Sequence, residues 1–180
     1  FDPEGDGGPV DRLRRAARDL LEWRDFPTPW RREAFDRDAM LAGLVEGIHG
    51  LARLTANPVR ASDNLYADTA PVRRLSDEMH RTGMTLATDA DGLEALIVQL
   101  AKDRTFRLRA RKGSGASFGP GVTRVQVLDV RTALSAALDG FQVAADADLA
   151  ARLHEELQAV VGRYEALKAR EGALDFLDLL

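Results

Sequence analysis

The chain has 180 residues, 45% hydrophobic and 30% charged, with a formal net charge of −4 and no cysteine. That length suits one sizeable core with room for an appended element, since a domain takes about 100–200 residues. The lack of cysteine excludes a disulfide framework, a thiolate zinc site and a cysteine nucleophile, and the mildly acidic total excludes a surface that attracts nucleic acid all over.

The chain opens on a Gly-, Pro- and acid-rich stretch, FDPEGDGGP. Pro9 is then placed as a first-turn proline, and Val10, Leu13, Ala17, Leu20 and Leu21 recur at helical spacing, which predicts a helix to about Arg24. Two prolines in DFPTPWRRE stop that helix and hold an extended connector, with Trp23, Phe26 and Trp30 as anchors at the corner. Asp36 or Asp38 caps a second helix carrying Met40, Leu41, Leu44, Val45, Ile48, Leu51 and Leu54, ended by Asn57-Pro58. A polar stretch follows. Thr69 and Pro71 then start a third helix through Val72, Leu75 and Met79 that stops near Gly83. A fourth runs from Asp91 to about Asp103, with Leu93, Leu96, Ile97 and Leu100 on one face.

Residues 104–121 break the pattern: five basic side chains and a Gly/Ser-rich run, without one acid. A fifth helix begins near Pro120 or Gly121, although Val122 and Val125 also permit a short strand. A last helix covers about Asp146 to Arg170, with Asp146 and Asp148 as acids at its N-terminus. Its predicted buried stripe is Leu149, Leu153, Leu157, Val160, Val161, Tyr164 and Leu167. Gly172 is the expected stop. The expected fold is all-α, an irregular bundle of about six helices with one long basic loop.

No side-chain constellation reads as an active site. There is no phosphate loop, because Lys112-Gly113-Ser114 lacks both the upstream glycine and a preceding strand. His49, His80 and His154 are far apart in sequence, each on a predicted helix, and read as surface or packing residues. Asp89-Ala90-Asp91-Gly92 lacks the remaining ligands of a calcium loop and reads as a helix cap. His154-Glu155-Glu156 lacks the zinc-protease spacing, so neither a catalytic residue nor a metal ligand is assigned.

The positive signal is the basic segment. In an extended chain Arg107, Arg109 and Arg111 point to one side, because side chains repeat every two residues, and Lys112 continues the row. Glycines beyond it allow close approach of an anion, with Ser114 and Ser117 as hydroxyl donors. Such a set suits a sugar-phosphate backbone without regard to sequence. Phe106 and Phe118 bracket the row, and base stacking on them is the lesser expectation beside backbone contact. A second basic set, Arg12, Arg14, Arg15 and Arg18, reads as the solvent face of the first helix.

At the C-terminus, Tyr164 and Lys168 are followed by Gly172-Ala173-Leu174-Asp175-Phe176-Leu177-Asp178-Leu179-Leu180. This resembles the Y-x-x-x-K…G-x-L-D-F-x-D-L-L stretch of UvrD/Rep-like superfamily 1 DNA helicases, and most closely the helicase–nuclease subunits of the RecB and AddA type. The resemblance is firm over about the last 20 residues.

The resemblance implies a division of the chain. Residues 1–163 would form the helical accessory subdomain called 1B, and residues 164–180 the return of the chain into a RecA-like motor domain. Phe1 in place of Met and the apolar run ending at Leu180 then read as cuts from a longer protein. On that view Tyr164, Lys168, Asp175, Phe176 and Asp178 are packing and capping residues. ATP and magnesium belong to the parent enzyme, an ATP-dependent helicase and exonuclease of bacterial recombination and repair. The implied partners are DNA, the remaining parent domains and a partner nuclease subunit. The setting is cytoplasmic, with no membrane contact: no apolar run approaches the ~18–20 residues of a membrane span and no signal peptide opens the chain. The competing expectation is a helical protein-interaction module that touches no nucleic acid.

Overall fold

A computed structural model describes residues 8–22, 34–107 and 115–173, with only the backbone of Arg107. In chain order the elements are α1 (Pro9–Glu22), α2 (Arg37–Leu54), α3 (Asn64–Asp68), α4 (Ala70–Thr82), α5 (Leu86–Lys102), α6 (Arg104–Arg107), β1 (Ser117–Gly119), β2 (Val122–Thr123) and α7 (Arg124–Glu171). The fold is all-α, with seven helices and one small antiparallel hairpin among the described residues. No helix among them is long and apolar enough to cross a membrane. The chain forms two compact units, one of residues 34–145 and the other of residues 1–33 with 146–180. Trp23, Phe26 and Trp30 lie outside the described residues.

In the unit of residues 34–145, α2 is set by its cap and its apolar face. The Asp36 carboxylate accepts the Ala39 N–H at 3.0 Å, and Leu41, Leu44, Ile48 and Leu51 recur every three or four residues, all buried. The helix ends at Leu54, where the buried Thr55 turns its hydroxyl onto the Leu51 carbonyl at 2.7 Å. Val72, Leu75 and Met79 of α4, Leu93, Ile97 and Leu100 of α5, and Val127, Leu134, Leu138 and Phe141 of α7 complete the core. α7 comes so near α2 that a Cβ on Gly47 would sit 3.2 Å from Leu134 Cδ1.

Local differences from the sequence expectation have local causes. The polar stretch before α4 holds the one-turn helix α3, because the Asp63 carboxylate caps the Leu65 N–H at 2.8 Å and Leu65 is fully buried. α5 begins at Leu86, ahead of the expected Asp91, with a capped first turn. Asp89 then leaves helical geometry (φ −159°, ψ 78°) and its carboxylate accepts the Gly92 N–H at 2.8 Å, so it caps the remainder of the helix. Val122 and Thr123 form β2, and Gly121 supplies the turn with φ 69°.

The fifth and sixth expected helices are one, α7, which contributes its first part to one unit and its remainder to the other. Asp146 and Asp148 are therefore mid-helix rather than N-terminal, and Asp148 pairs with Arg152 at 2.8 Å. Ala-rich sequence with no Gly-Pro break carries the helix through this point. The expected buried stripe is also rotated. Of its members Val161 is buried as expected, but Leu149, Leu153, Val160 and Leu167 are 39–57% exposed, while Asp148, Ala151 and Lys168 are buried instead. Gly172 ends the helix with φ 64°, and the Ala173 N–H returns to the Lys168 carbonyl at 3.0 Å.

Candidate nucleic-acid interface

The basic segment leaves the core through α6 and re-enters it through β1. Asp103 starts α6 by accepting the Phe106 N–H at 3.1 Å, and Phe106 is 1% exposed. Arg131 of α7 lies 5.1 Å from the Phe106 ring centroid and donates to the Phe106 carbonyl. On the return, Phe118 is also 1% exposed, and its carbonyl accepts the Val59 N–H at 2.8 Å. β1 lies close against the turn after α2, since a Cβ on Gly119 would overlap the carbonyl oxygen of Asn57. Both aromatic residues are therefore anchors. Their rings are closed to bases, which removes the lesser expectation of stacking at these positions.

Arg124 fastens the hairpin. It is 7% exposed, and its guanidinium grips Asp63 with Nη1 at 3.0 Å from Oδ1 and Nη2 at 2.6 Å from Oδ2. Its Nε donates to the Gly115 carbonyl at 3.0 Å and its backbone N–H to Ala116 at 2.8 Å. The guanidinium beside Asp63 holds that carboxyl below the usual carboxylate range, and the carboxylate in turn raises Arg124. Beside this pair opens a polar hollow of about 450 Å³, lined among others by Arg60, Ser62, Asn64 and Ser117. Of the six basic residues between 104 and 124, Arg124 is thus neutralised internally. The other five are Arg104, exposed on α6, together with Arg107, Arg109, Arg111 and Lys112.

Arg107 closes the helical turn α6, so an extended alternation of side chains does not begin there. Its side chain, and all of Arg109, Arg111, Lys112 and Ser114, lie outside the described residues. Ser117 is exposed at the start of β1. In the C-terminal signature, Tyr164 and Lys168 are four residues apart on α7, with the Lys168 ammonium 5.5 Å from the Tyr164 ring and 3.4 Å from Glu165. Asp175, Phe176 and Asp178 lie outside the described residues.

Two features were not legible in the sequence. The partner of Arg124 is Asp63, 61 residues away. The histidines expected to be separate meet in space, with the rings of His49 and His80 4.5 Å apart and edge-on. Burial, with the nearby His80 and Arg53, pushes His49 below its usual range. No family model matches the chain, and neither does any curated protein or solved structure.

Proposed function

We propose that this protein is a DNA-contacting accessory subdomain of an ATP-dependent helicase of the UvrD/Rep type, in a helicase–nuclease of recombination and repair. ATP hydrolysis and magnesium binding fall to the parent motor domain, and the remaining parent domains and a nuclease subunit are its protein partners. The boundary at 163/164 separates the subdomain from the segment returning to that motor. The observation that carries DNA contact is the acid-free basic segment, rooted at both ends by buried Phe106 and Phe118 and clamped by the Asp63–Arg124 pair. Rooted ends reduce the entropy lost when cations line up on phosphates. Arg107, Arg109, Arg111 and Lys112 then follow the sugar-phosphate backbone, with Ser114 as a hydroxyl donor.

The test is a fluorescence-polarisation titration with a labelled forked DNA at several salt concentrations. Four phosphate contacts on duplex predict a slope of log affinity against log salt of about −3.6. Replacing Arg107, Arg109 and Arg111 with Glu abolishes binding at low salt on this reading. Equal binding by both proteins rules the segment out. A second reading, a docking module without nucleic-acid contact, is favoured by one observation: Leu149, Leu153, Val160 and Leu167 line one exposed face of α7. On that reading the triple reversal changes nothing, while Leu153→Asp and Val160→Asp abolish association with a parent domain.

A further inference from the structure

We infer that the cleft between the end of α2 and the face of α4 is a second phosphate site, one that holds a backbone phosphodiester of the bound nucleic acid. It rests on the reading of the protein as a DNA-contacting subdomain. It is separate from the basic segment and built wholly from described residues.

The cleft, of about 690 Å³, is lined by Arg53 of α2, Tyr66 of α3, and Arg73, Arg74, Asp77 and His80 of α4, among others. Three guanidinium groups thus face one carboxylate around a concave surface, in a chain whose acids outnumber its basic residues. Elsewhere in this unit Arg37 is matched with Glu94 at 2.6 Å, Arg81 with Glu78 at 2.5 Å, and Arg124 with Asp63. The side chains of Arg53 and Arg74 make no hydrogen bond or ion pair with a described residue, and both residues are exposed. Three guanidinium groups around the single carboxylate of Asp77 leave the hollow with a net positive charge, and an anion relieves their mutual repulsion.

Arg73 is organised in advance. Its guanidinium lies 3.7 Å from the Tyr66 ring centroid, with Nη1 2.8 Å from Thr69 Oγ1 and Nη2 2.7 Å from the Tyr66 carbonyl. Those two bonds leave further N–H donors of the same fork, and a rigid, stacked guanidinium loses little freedom when it takes a phosphate oxygen. Three of the last four carbonyls of α2, those of Leu51, Ala52 and Arg53, accept hydrogen bonds from the turn that follows. Thr55 donates its hydroxyl to Leu51 and Ala52, and its N–H to Leu51. His80 turns Nδ1 to the Ser76 carbonyl at 2.7 Å, so that nitrogen carries the proton and the ring is held in place.

The test uses the whole chain, with Arg53→Gln/Arg74→Gln and Arg53→Glu/Arg74→Glu variants beside the reversal of residues 107, 109 and 111. Both positions are exposed, so folding is retained and circular dichroism checks it. Affinity for forked DNA falls about tenfold or more at low salt in the Glu pair, and the salt slope drops by about two. The Gln pair lies between. If the cleft variants bind like the parent chain while the triple reversal does not, the cleft assignment is overturned and the DNA reading stands. If the parent chain does not bind at all, both fall.

The three histidines give an independent readout, since His80 lines the cleft, His49 packs edge-on against it at 4.5 Å, and His154 belongs to the other unit. A short duplex shifts the ring resonances of His49 and His80 but not His154. If inorganic pyrophosphate shifts them and the duplex does not, the cleft takes a small phosphate compound and the assignment to nucleic acid fails.

Discussion

Replacing Arg124 with Met isolates the contribution of the clamp at the root of the basic segment. Methionine keeps much of the stem but removes two hydrogen bonds to Asp63, at 3.0 and 2.6 Å, and the Nε–H bond to Gly115. The side chains of the pair are only 8% and 12% exposed, so the carboxylate left behind keeps only backbone N–H partners, Leu65 at 2.8 Å and Tyr66. An exposed ion pair contributes about 0–1 kcal/mol, whereas removing one partner of a buried pair costs about 3–5 kcal/mol, and the low exposure decides for the second. Urea denaturation followed by circular dichroism at pH 7 measures it, with the slope m unchanged. For the roughly hundred-residue unit that contains the pair, about 3 kcal/mol lowers Tm by about 12–20 °C.

The sign of the pH dependence follows from Asp63. Its folded carboxyl sits below the ordinary 3.8, mainly through the hydrogen bond from Arg124. The stability from the pair is therefore complete above about pH 4 and is lost as pH falls through the depressed folded value. The difference between the parent chain and Arg124→Met shrinks over that window. The double variant with Asp63→Asn costs less than the two single variants summed, by about 2 kcal/mol. A cost below 1 kcal/mol at pH 7, or one unaltered down to pH 3, refutes the clamp.

Three further outcomes are expected. Gly119→Ala drives a Cβ into the Asn57 carbonyl and costs about 1–3 kcal/mol by chemical denaturation, whereas an unchanged midpoint would mean that β1 does not lie against that turn. Phe106→Ala empties a 1%-exposed site and costs about 3–5 kcal/mol, yet at temperatures where it stays folded its DNA affinity is unchanged, because the ring does not meet bases. His49 is held below 6.5, chiefly by burial, so the unfolded chain binds the proton better; stability is full above about pH 6.5 and falls as pH drops toward the lowered folded value. In His49→Gln that slope disappears between pH 6.5 and 5 in a series of thermal melts, and its persistence would place the titration elsewhere.

Much of the helical architecture is written in short-range pattern. Pro9 at the start of α1, Asp36 capping α2, Pro71 in the first turn of α4 and Gly83 at its end with φ 65° are local devices, and their positions agree with the structure. Caps, proline and a three-to-four apolar period act within one or two turns, so a sequence window holds all the needed terms. The same holds for the acid-free run of basic residues, which singles out one segment of an acidic chain.

Tertiary structure decided what depends on partners far along the chain. Nothing near Arg124 marks it as a buried clamp, because its acid is Asp63 and the bond exists only once α3 and the hairpin meet. Phe106 and Phe118 look like aromatic flanks of a basic row until the core takes them both. The exposed face of α7 has strong apolar spacing, but periodicity gives the direction of a stripe and not whether anything covers it. Arg53, Arg73 and Arg74 come from two helices separated by a turn and α3, and their convergence on one cleft has no signature in spacing. The sequence by itself therefore determined the all-α class, the principal helices α1, α2 and α4 and the composition of the basic segment, while α3, α6 and the continuity of α7 came from the tertiary structure. Which charges are neutralised, and which stand unmatched in a concave site, followed only from packing, because charge pairing is a property of distance in space.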